Sequence, residues 1–353
     1  MTNVLRTRWS GPWLALAAAG LFGASTPLAK SLLGSGIDPW LLAGLLYCGS
    51  GLGLGLAYAL RNRDASEASL RRSDMPWLAG VVMFGGVAGP ALLMLGLART
   101  SAASASLLLN LEGLATMAIA WWVFNEYVDR RLLLGAFAIL CGAAVLSYQG
   151  TTAFGMGTWA IIAACIAWGI DNNLTRKVSA SDPLQIAIAK GLVAGFVNIG
   201  LAFMRGAQWP SLLHIVEAML IGFVGYGISV VAFVLALRKL GTARTGAYFS
   251  TAPFIGAVLA IFLLGEQGSL VLMISAALMA VGVYLHLTEK HEHTHLHNPL
   301  DHEHRHVHDA HHQHTHGPGE PADEPHSHLH HHLPITHRHP HYPDIHHRHG
   351  HKH

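Results

Sequence analysis

The sequence predicts an all-α integral membrane protein of ten transmembrane helices, arranged as two inverted five-helix repeats. Three observations carry this. Of 353 residues, 52% are hydrophobic and only 12% charged, about half the charge of an ordinary soluble domain. Ten apolar runs are each of about the 20-residue length that crosses a hydrocarbon core of about 30 Å. The second half of the chain also repeats the pattern of the first. A chain so poor in charge cannot keep most of its surface in water, which excludes an ordinary soluble enzyme. Cys48, Cys141 and Cys165 lie inside apolar runs, so neither a disulfide framework nor a cysteine zinc site is indicated. The expected partners are a lipid bilayer and a small-molecule or metal substrate, with no nucleic acid; a homodimer is allowed.

The runs occupy residues 12–33, 38–60, 76–98, 102–124, 131–149, 156–175, 183–204, 214–237, 244–264 and 269–287. Span 1 has a basic start (Arg6, Arg8) and small residues (Ala24, Ser25), as a signal peptide does, but its pattern recurs in span 6, so it is expected to be retained. Gly49, Gly51, Gly53 and Gly55 in span 2, and Gly85, Gly86 and Gly89 in span 3, let helix backbones approach closely in lipid. Pro27, Gly89-Pro90 and Pro253 are expected to interrupt spans 1, 3 and 9, freeing backbone groups for a cavity or a neighbouring helix. The connections are mostly short, so neighbouring spans run up and down, and no folded soluble domain remains.

Lysine and arginine set the orientation. With both ends cytoplasmic, the inner segments hold 14 of them, from Arg6 to Lys290, against Lys30, Arg99 and Arg205 outside.

The repeat reads in register. Leu97 to Ala103 aligns with Leu237 to Ala243, and the same offset of 140 brings Glu126 onto Glu266 and Gly142 onto Gly282. Near the start of each half the offset is 146, which pairs Trp13 with Trp159, Phe22-Gly23 with Trp168-Gly169, and Lys30 with Arg176. Asp38-Pro39 meets Asp182-Pro183 at 144. Five spans per copy is odd, so the second copy enters from the opposite side. Such symmetry serves alternating access around a site near the midplane.

Each ionisable residue inside a span costs about 2.5–3.5 kcal/mol at the bilayer centre, so each needs a reason. Glu112 lies in span 4 beside Asn110, Asp171 lies in span 6 beside Asn172 and Asn173, and Lys190 lies in span 7. Spans 6 and 7 form a hairpin in which Asp171 and Lys190 sit at similar depth, about 8 and 10 Å from the turn at 1.5 Å per residue. Two readings stay open: a pair that holds the hairpin, or one that opens to a ligand. Glu112 faces Ala252 at the repeat offset, and such an asymmetric carboxylate suits proton coupling; a hydrogen-bonded structural carboxyl is the alternative. Trp168 and Tyr248, with Phe22 and Tyr226, are candidates for lining the path or for packing. Glu126 and Glu266 close spans 4 and 9, where a carboxylate can serve the N-terminus of the next helix.

The chain carries 27 His, of which 25 follow Glu289. Residues 288–353 are too polar to offset the entropy of folding and are expected to be disordered. Their His-x-His repeats (His291, His293 and His295; His302, His304 and His306; His328 and His330; His349 and His351) place many imidazoles on one chain. Neutral imidazoles bind Ni²⁺, Co²⁺, Zn²⁺ or Cu²⁺. The tail gathers metal for export, senses or buffers metal, or is an inert extension. No cofactor is required. A membrane metal sensor without transport is a further alternative. The chain holds no P-loop, no HExxH and no nucleophile–base constellation, so an ATP-driven pump and a metalloprotease lack their motifs, and no enzyme is expected.

The core resembles the EamA type of the drug/metabolite transporter superfamily. The resemblance rests on the aromatic-Gly pairs Phe22-Gly23 and Trp168-Gly169, the basic Lys30 and Arg176, and the glutamates of Asn125-Glu126 and Gly265-Glu266. It implies two repeats, 12–149 and 156–287, followed by the tail, and export of a small metabolite across the inner membrane with both ends cytoplasmic. Many relatives carry Arg in span 2, where this chain has Leu46 and, at the matching position of the second copy, Lys190.

Overall fold

The computed structural model describes residues 11–60, 72–124, 130–148, 155–178, 182–240, 242–287, 292–296, 300–306, 326–332 and 336–340. From residue 11 to 287 every secondary-structure element of the described chain is a helix. The first half contains α1 (Gly11–Gly34), α2 (Pro39–Leu60), α3 (Met75–Val81), α4 (Gly89–Leu97), α5 (Ala102–Leu108), α6 (Leu111–Phe124) and α7 (Arg130–Ser147). The second contains α8 (Met156–Val178), α9 (Pro183–Met204), α10 (Leu212–Gly222), α11 (Ser229–Leu240), α12 (Thr242–Phe249), α13 (Ala252–Leu264) and α14 (Leu270–Leu287).

Several of these are pieces of one span. A π-helical segment, Val82–Ala88, joins α3 to α4, and a second, Phe223–Ile228, joins α10 to α11. The turn Leu109-Asn110 separates α5 from α6, and Ser250-Thr251 separates α12 from α13. Both kinds of interruption fall 140 or 141 residues apart in the two halves. Among the described residues, eight helical units are long and apolar enough to cross a membrane, with Ala252–Leu264 as a shorter apolar helix. α8 is long enough at 23 residues, but Asp171, Asn172, Asn173, Arg176 and Lys177 lower its apolar content. Large apolar side chains such as Trp122, Phe137, Phe262 and Leu263 point outward, as lipid-facing residues must.

Proline placement differs from expectation at one site. Pro27 lies inside α1 without interrupting it, whereas Pro90 and Pro253 occupy the first turns of α4 and α13. Pro253 follows the Ser250-Thr251 turn, where its missing N–H costs little, whereas Pro90 stands inside a continuous span.

The packing is reciprocal. α2 lies along α9 and α7 along α14; α1 packs on α11 and α13, while α8 packs on α4 and α6. Glycines set the closest approaches. A Cβ on Gly142 would lie 2.9 Å from the Ser275 carbonyl oxygen, and one on Gly282 would lie 2.6 Å from that of Gly135. At offset 140, Gly135 corresponds to Ser275 and Gly142 to Gly282, so the two contacts are the same contact seen from either helix.

Beyond α14, Glu292–Leu296 pairs antiparallel with Thr336–Pro340, and Leu300–His306 with His326–His332. The composition predicts no order in this segment; the two-residue period of His-x-His is that of an extended chain. His293, His295, His302, His304, His306, His328 and His330 lie in these strands, and their side chains are outside the description, as are His291, His349 and His351 entirely.

Candidate functional site

The π-helical segment in the third span builds the site. Pro90 has no N–H, and its ring excludes an α-helical carbonyl four residues earlier, at Gly86. The helix widens instead, and the Gly89 N–H donates to the Phe84 carbonyl five residues back. Neither Gly85 nor Gly86 can receive a bond from Pro90, which has no N–H. Three side chains from other helices donate to their carbonyls. Tyr47 Oη (α2) donates to the Gly85 carbonyl at 2.8 Å, Trp168 Nε1 (α8) to the same oxygen at 3.0 Å, and Asn198 Nδ2 (α9) to the Gly86 carbonyl at 3.0 Å.

Against the same wide turn lies an ion pair. Lys190 Nζ of α9 donates to Asp171 Oδ2 of α8, with the Asp171 and Lys190 side chains only 6% and 20% exposed. Thr175 Oγ1 donates to the other carboxylate oxygen at 3.2 Å. A Cβ on Gly85 would collide with both Asp171 Oδ2 and Lys190 Nζ, so glycine is what lets the pair sit against the helix backbone.

The next residue on α8 turns to a second polar group. Asn172 Nδ2 donates to Glu112 Oε1 at 3.0 Å and to Thr116 Oγ1 at 3.1 Å, while Thr116 Oγ1 donates to the Glu112 carbonyl at 2.9 Å. Asn173 Nδ2 reaches the Thr116 and Gly169 carbonyls at 3.1 and 2.9 Å. Glu112 is half-buried and stands in the first turn of α6, where a carboxylate is favoured by the helix dipole. That helix begins anew there because Leu109 and Asn110 form a turn, with Asn110 Nδ2 donating to the Leu107 carbonyl at 2.8 Å. Asn110 is buried and also approaches Met279 Sδ, at 3.8 Å.

The structure therefore gathers Asp171, Lys190, Trp168, Asn172 and Glu112 around spans 3, 4, 6 and 7. Asn110 lies at the break just before Glu112. Tyr248 packs against an apolar cluster of Leu14, Ala15 and Ala236. Glu266 serves not the following helix but α5, which lies across the bundle. Its Oε1 and Oε2 accept from the Ala102 and Ala103 N–H at 2.6 and 2.8 Å. Glu126 lies outside the described residues. Among the described residues no group of three or more His, Cys, Asp and Glu side chains could hold a metal ion.

Tyr47, Thr116 and Asn198 were not singled out in the sequence. A lone Asn in the apolar run of span 7 was the available signal for Asn198, and the Gly85-Gly86…Gly89-Pro90 pattern announced carbonyls in need of donors.

An aromatic row leads away from the ions. The Tyr47 and Tyr226 rings lie 5.7 Å apart, Tyr226 and Phe22 5.7 Å edge-on, and Phe22 and Phe249 5.5 Å. At the repeat offsets the first-half counterparts of Asp171, Asn172 and Lys190 are Ser25, Thr26 and Leu46, and the second-half counterpart of Glu112 is Ala252, all without charge.

Comparison with known proteins gives a consistent picture. The model of the EamA-like transporter family matches residues 9–148 and again 155–288. An "uncharacterized transporter" of Methanothermobacter thermautotrophicus is 27% identical over 288 residues, covering 76% of this chain and 84% of that protein. A "probable terminal-alkyne amino-acid exporter" of Streptantibioticus cattleyicolor is 25% identical over 61% of this chain and 74% of its own length. A "probable amino-acid metabolite efflux pump" of Salmonella typhimurium is 24% identical over 52% of this chain and 66% of its own. A solved crystal structure superposes with a TM-score of 0.58 at 21% identity, over 79% of this chain and 98% of that one, a likeness of fold alone.

Proposed function

This chain belongs to the EamA-like transporter family, and from that premise we propose that it is a secondary active exporter of a small solute carrying both a cationic and an anionic group. The observation that carries the proposal is the Asp171–Lys190 pair, set in the bundle beside Glu112 and Asn172 and reached along the aromatic row. A solute with its own ammonium and carboxylate can exchange with the pair, replacing each ionic contact by an equivalent one without leaving a bare charge in low dielectric. The relatives named as amino-acid and amino-acid-metabolite exporters support this solute class.

Ten spans complete the architecture once α8 and the α12–α13 unit join the eight more apolar segments. The two tandem family matches, the paired π segments and the reciprocal glycine contacts support two copies inverted about an axis in the membrane plane. The lysine and arginine bias supports insertion in the inner membrane with both ends cytoplasmic.

Glu112 couples export to protons. Asn172, the residue next to Asp171, donates to the Glu112 carboxylate. Proteoliposomes loaded with an amino acid and given a pH gradient test the assignment. Glu112→Gln is expected to abolish gradient-driven efflux while leaving solute exchange. Full gradient-driven efflux in that variant would remove Glu112 from the coupling step.

Divalent metal acts on the tail rather than through the core. The membrane part offers two carboxylates with a lysine held against one of them, an unfavourable environment for a dication, whereas the tail's imidazoles suit Ni²⁺, Co²⁺, Zn²⁺ or Cu²⁺. The tail is thus a metal-responsive regulator. Cells expressing the full chain or a chain ending at Lys290 are expected to accumulate equal nickel and cobalt; lower metal in the full-length strain alone would instead make metal the cargo.

A further inference from the structure

Where α8 crosses α6, the two backbones come close and polar side chains line the seam. A Cβ on Gly169 would lie 2.8 Å from Ala115 Cβ and 2.9 Å from the Thr116 nitrogen, so glycine is what lets α6 approach. Asn172, further along α8, reaches the same turn of α6. Glu112 and Thr116 stand one turn apart on that helix, on a single face. The Thr116 hydroxyl has one hydrogen, and it goes to the Glu112 carbonyl at 2.9 Å. Its oxygen is left with lone pairs alone, so whatever approaches it must donate. Asn172 does so with Nδ2 at 3.1 Å, and the second Nδ2 hydrogen goes to Glu112 Oε1 at 3.0 Å. Asn173 Nδ2 ties the same turn by donating to the Thr116 carbonyl at 3.1 Å.

The two ends of an amide are opposite in kind: the nitrogen donates and the oxygen accepts. With its nitrogen turned to Glu112, the amide favours a carboxylate that carries no proton on Oε1. With its oxygen turned there, it would favour a protonated carboxyl, which can donate to it. The reversed amide would also set Oδ1 against the lone pairs of the Thr116 oxygen, unless the hydroxyl gave up its bond to the Glu112 carbonyl. We propose that Thr116 is a positioning residue for proton binding at Glu112: its hydroxyl decides which end of the Asn172 amide the carboxylate meets, and so sets the pH at which the carboxyl takes up a proton. The corresponding crossing of α1 on α13 has Gly256, Ala252 and Thr26 at the repeat offsets, with neither carboxyl nor amide. The ionisable groups around Glu112 are Asp171 and Cys165 of α8, Lys190 of α9 and Tyr47 of α2. α7, also packed on α6, carries Arg130 and Arg131, which follow the far end of α6, and Cys141; α4 and α5 contribute none. All of these groups are kept in the variants that test the proposal.

The part this plays in transport rests on Glu112 as the coupling group, whereas the amide lock itself is read without transport. The full chain in proteoliposomes is titrated by infrared difference spectroscopy. The carbonyl band of a protonated carboxyl that is missing in Glu112→Gln belongs to Glu112. Thr116→Val keeps the shape and removes the hydroxyl; its midpoint is expected about half to one pH unit above that of the unsubstituted chain, the size of one hydrogen bond. Thr116→Ser keeps the hydroxyl and is expected at the unsubstituted midpoint. Asn172→Ala is expected to raise the midpoint at least as far, and Thr116→Val added to it to change nothing further, because the hydroxyl acts through the amide. An unmoved or lowered midpoint in Thr116→Val overturns the proposal, as does a full second shift in the double variant. Thr116→Ala gives the same reading if the valine variant does not fold. Gradient-driven efflux from the same proteoliposomes is expected to shift its pH profile with the band. A band that moves while efflux keeps its profile leaves the lock in place and removes Glu112 from the coupling step.

Discussion

At the scale of single residues, Gly85 is the tightest constraint on the site. Its missing side chain is the space occupied by Asp171 and Lys190. Overfilling a packed site costs about 1–3 kcal/mol, so Gly85→Ala is expected to lower thermal stability in detergent and to abolish transport. Gly113→Ala serves as the control, since a Cβ there meets nothing within 4 Å. The ion pair obeys a different rule. Removing one partner of a buried pair costs about 3–5 kcal/mol because the other charge remains. Lys190→Met alone is therefore expected to reduce the yield of folded protein, and Lys190→Met with Asp171→Asn to restore it without restoring efflux. Equal yields for the single and double substitutions would show that the pair carries no structural role. Trp168→Phe removes one of two donors to the Gly85 carbonyl and should cost about 0.5–1.5 kcal/mol, read from the same melting experiment.

At the scale of elements, the interruptions are where sequence and structure diverge most instructively. The depth argument for the hairpin placed Asp171 beside Lys190, because two positions on antiparallel helices at equal distance from a turn have to meet if both face inward. Which face they meet on, against Gly85, was not legible: periodicity in a membrane helix is weak when every side is apolar. Pro27, read as an interruption, is absorbed by α1, whereas the Gly-Pro pair at 89–90 reshapes its helix. The difference lies in the glycines before Pro90, which tolerate a widened turn. The packing of Tyr248 against Leu14, Ala15 and Ala236 was not legible either, since no sequence pattern gives the rotation of α12. Along the α7–α14 seam, Gly282→Leu is expected to separate the two helices and shift the protein toward aggregation on size-exclusion chromatography, since the Gly135 carbonyl occupies the space the new side chain needs.

At the scale of the whole molecule, composition and hydropathy were enough to place the chain in a membrane, and paired motifs were enough to suggest a duplication. The charge distribution of the site was legible only in part. Glu112, Asp171 and Lys190 stand out in apolar runs, but their assembly on one side of the bundle follows from the packing of α8 on α4 and α6. The polar tail obeys separate physics, and a chain ending at Lys290 is expected to fold and to export solute at the full rate when metal is absent. A fall in the metal-free rate after truncation would mean that the tail takes part in transport itself.

The wide turn in the third span has one more consequence. A π turn houses one residue more than the α-helix on either side of it, and at 3.6 residues per turn a single residue corresponds to a swing of about 100°. Everything from Gly89 to Arg99 is aimed by that insertion. Deleting one residue between Val82 and Ala88 would leave the hydrophobicity, the length and every motif nearly untouched, yet it would turn the far end of the rod a quarter of the way round and present lipid with the surface now facing the protein. The same arithmetic applies between Phe223 and Ile228. Descendants of the duplicated gene can therefore drift in almost every letter of these segments but not in their number.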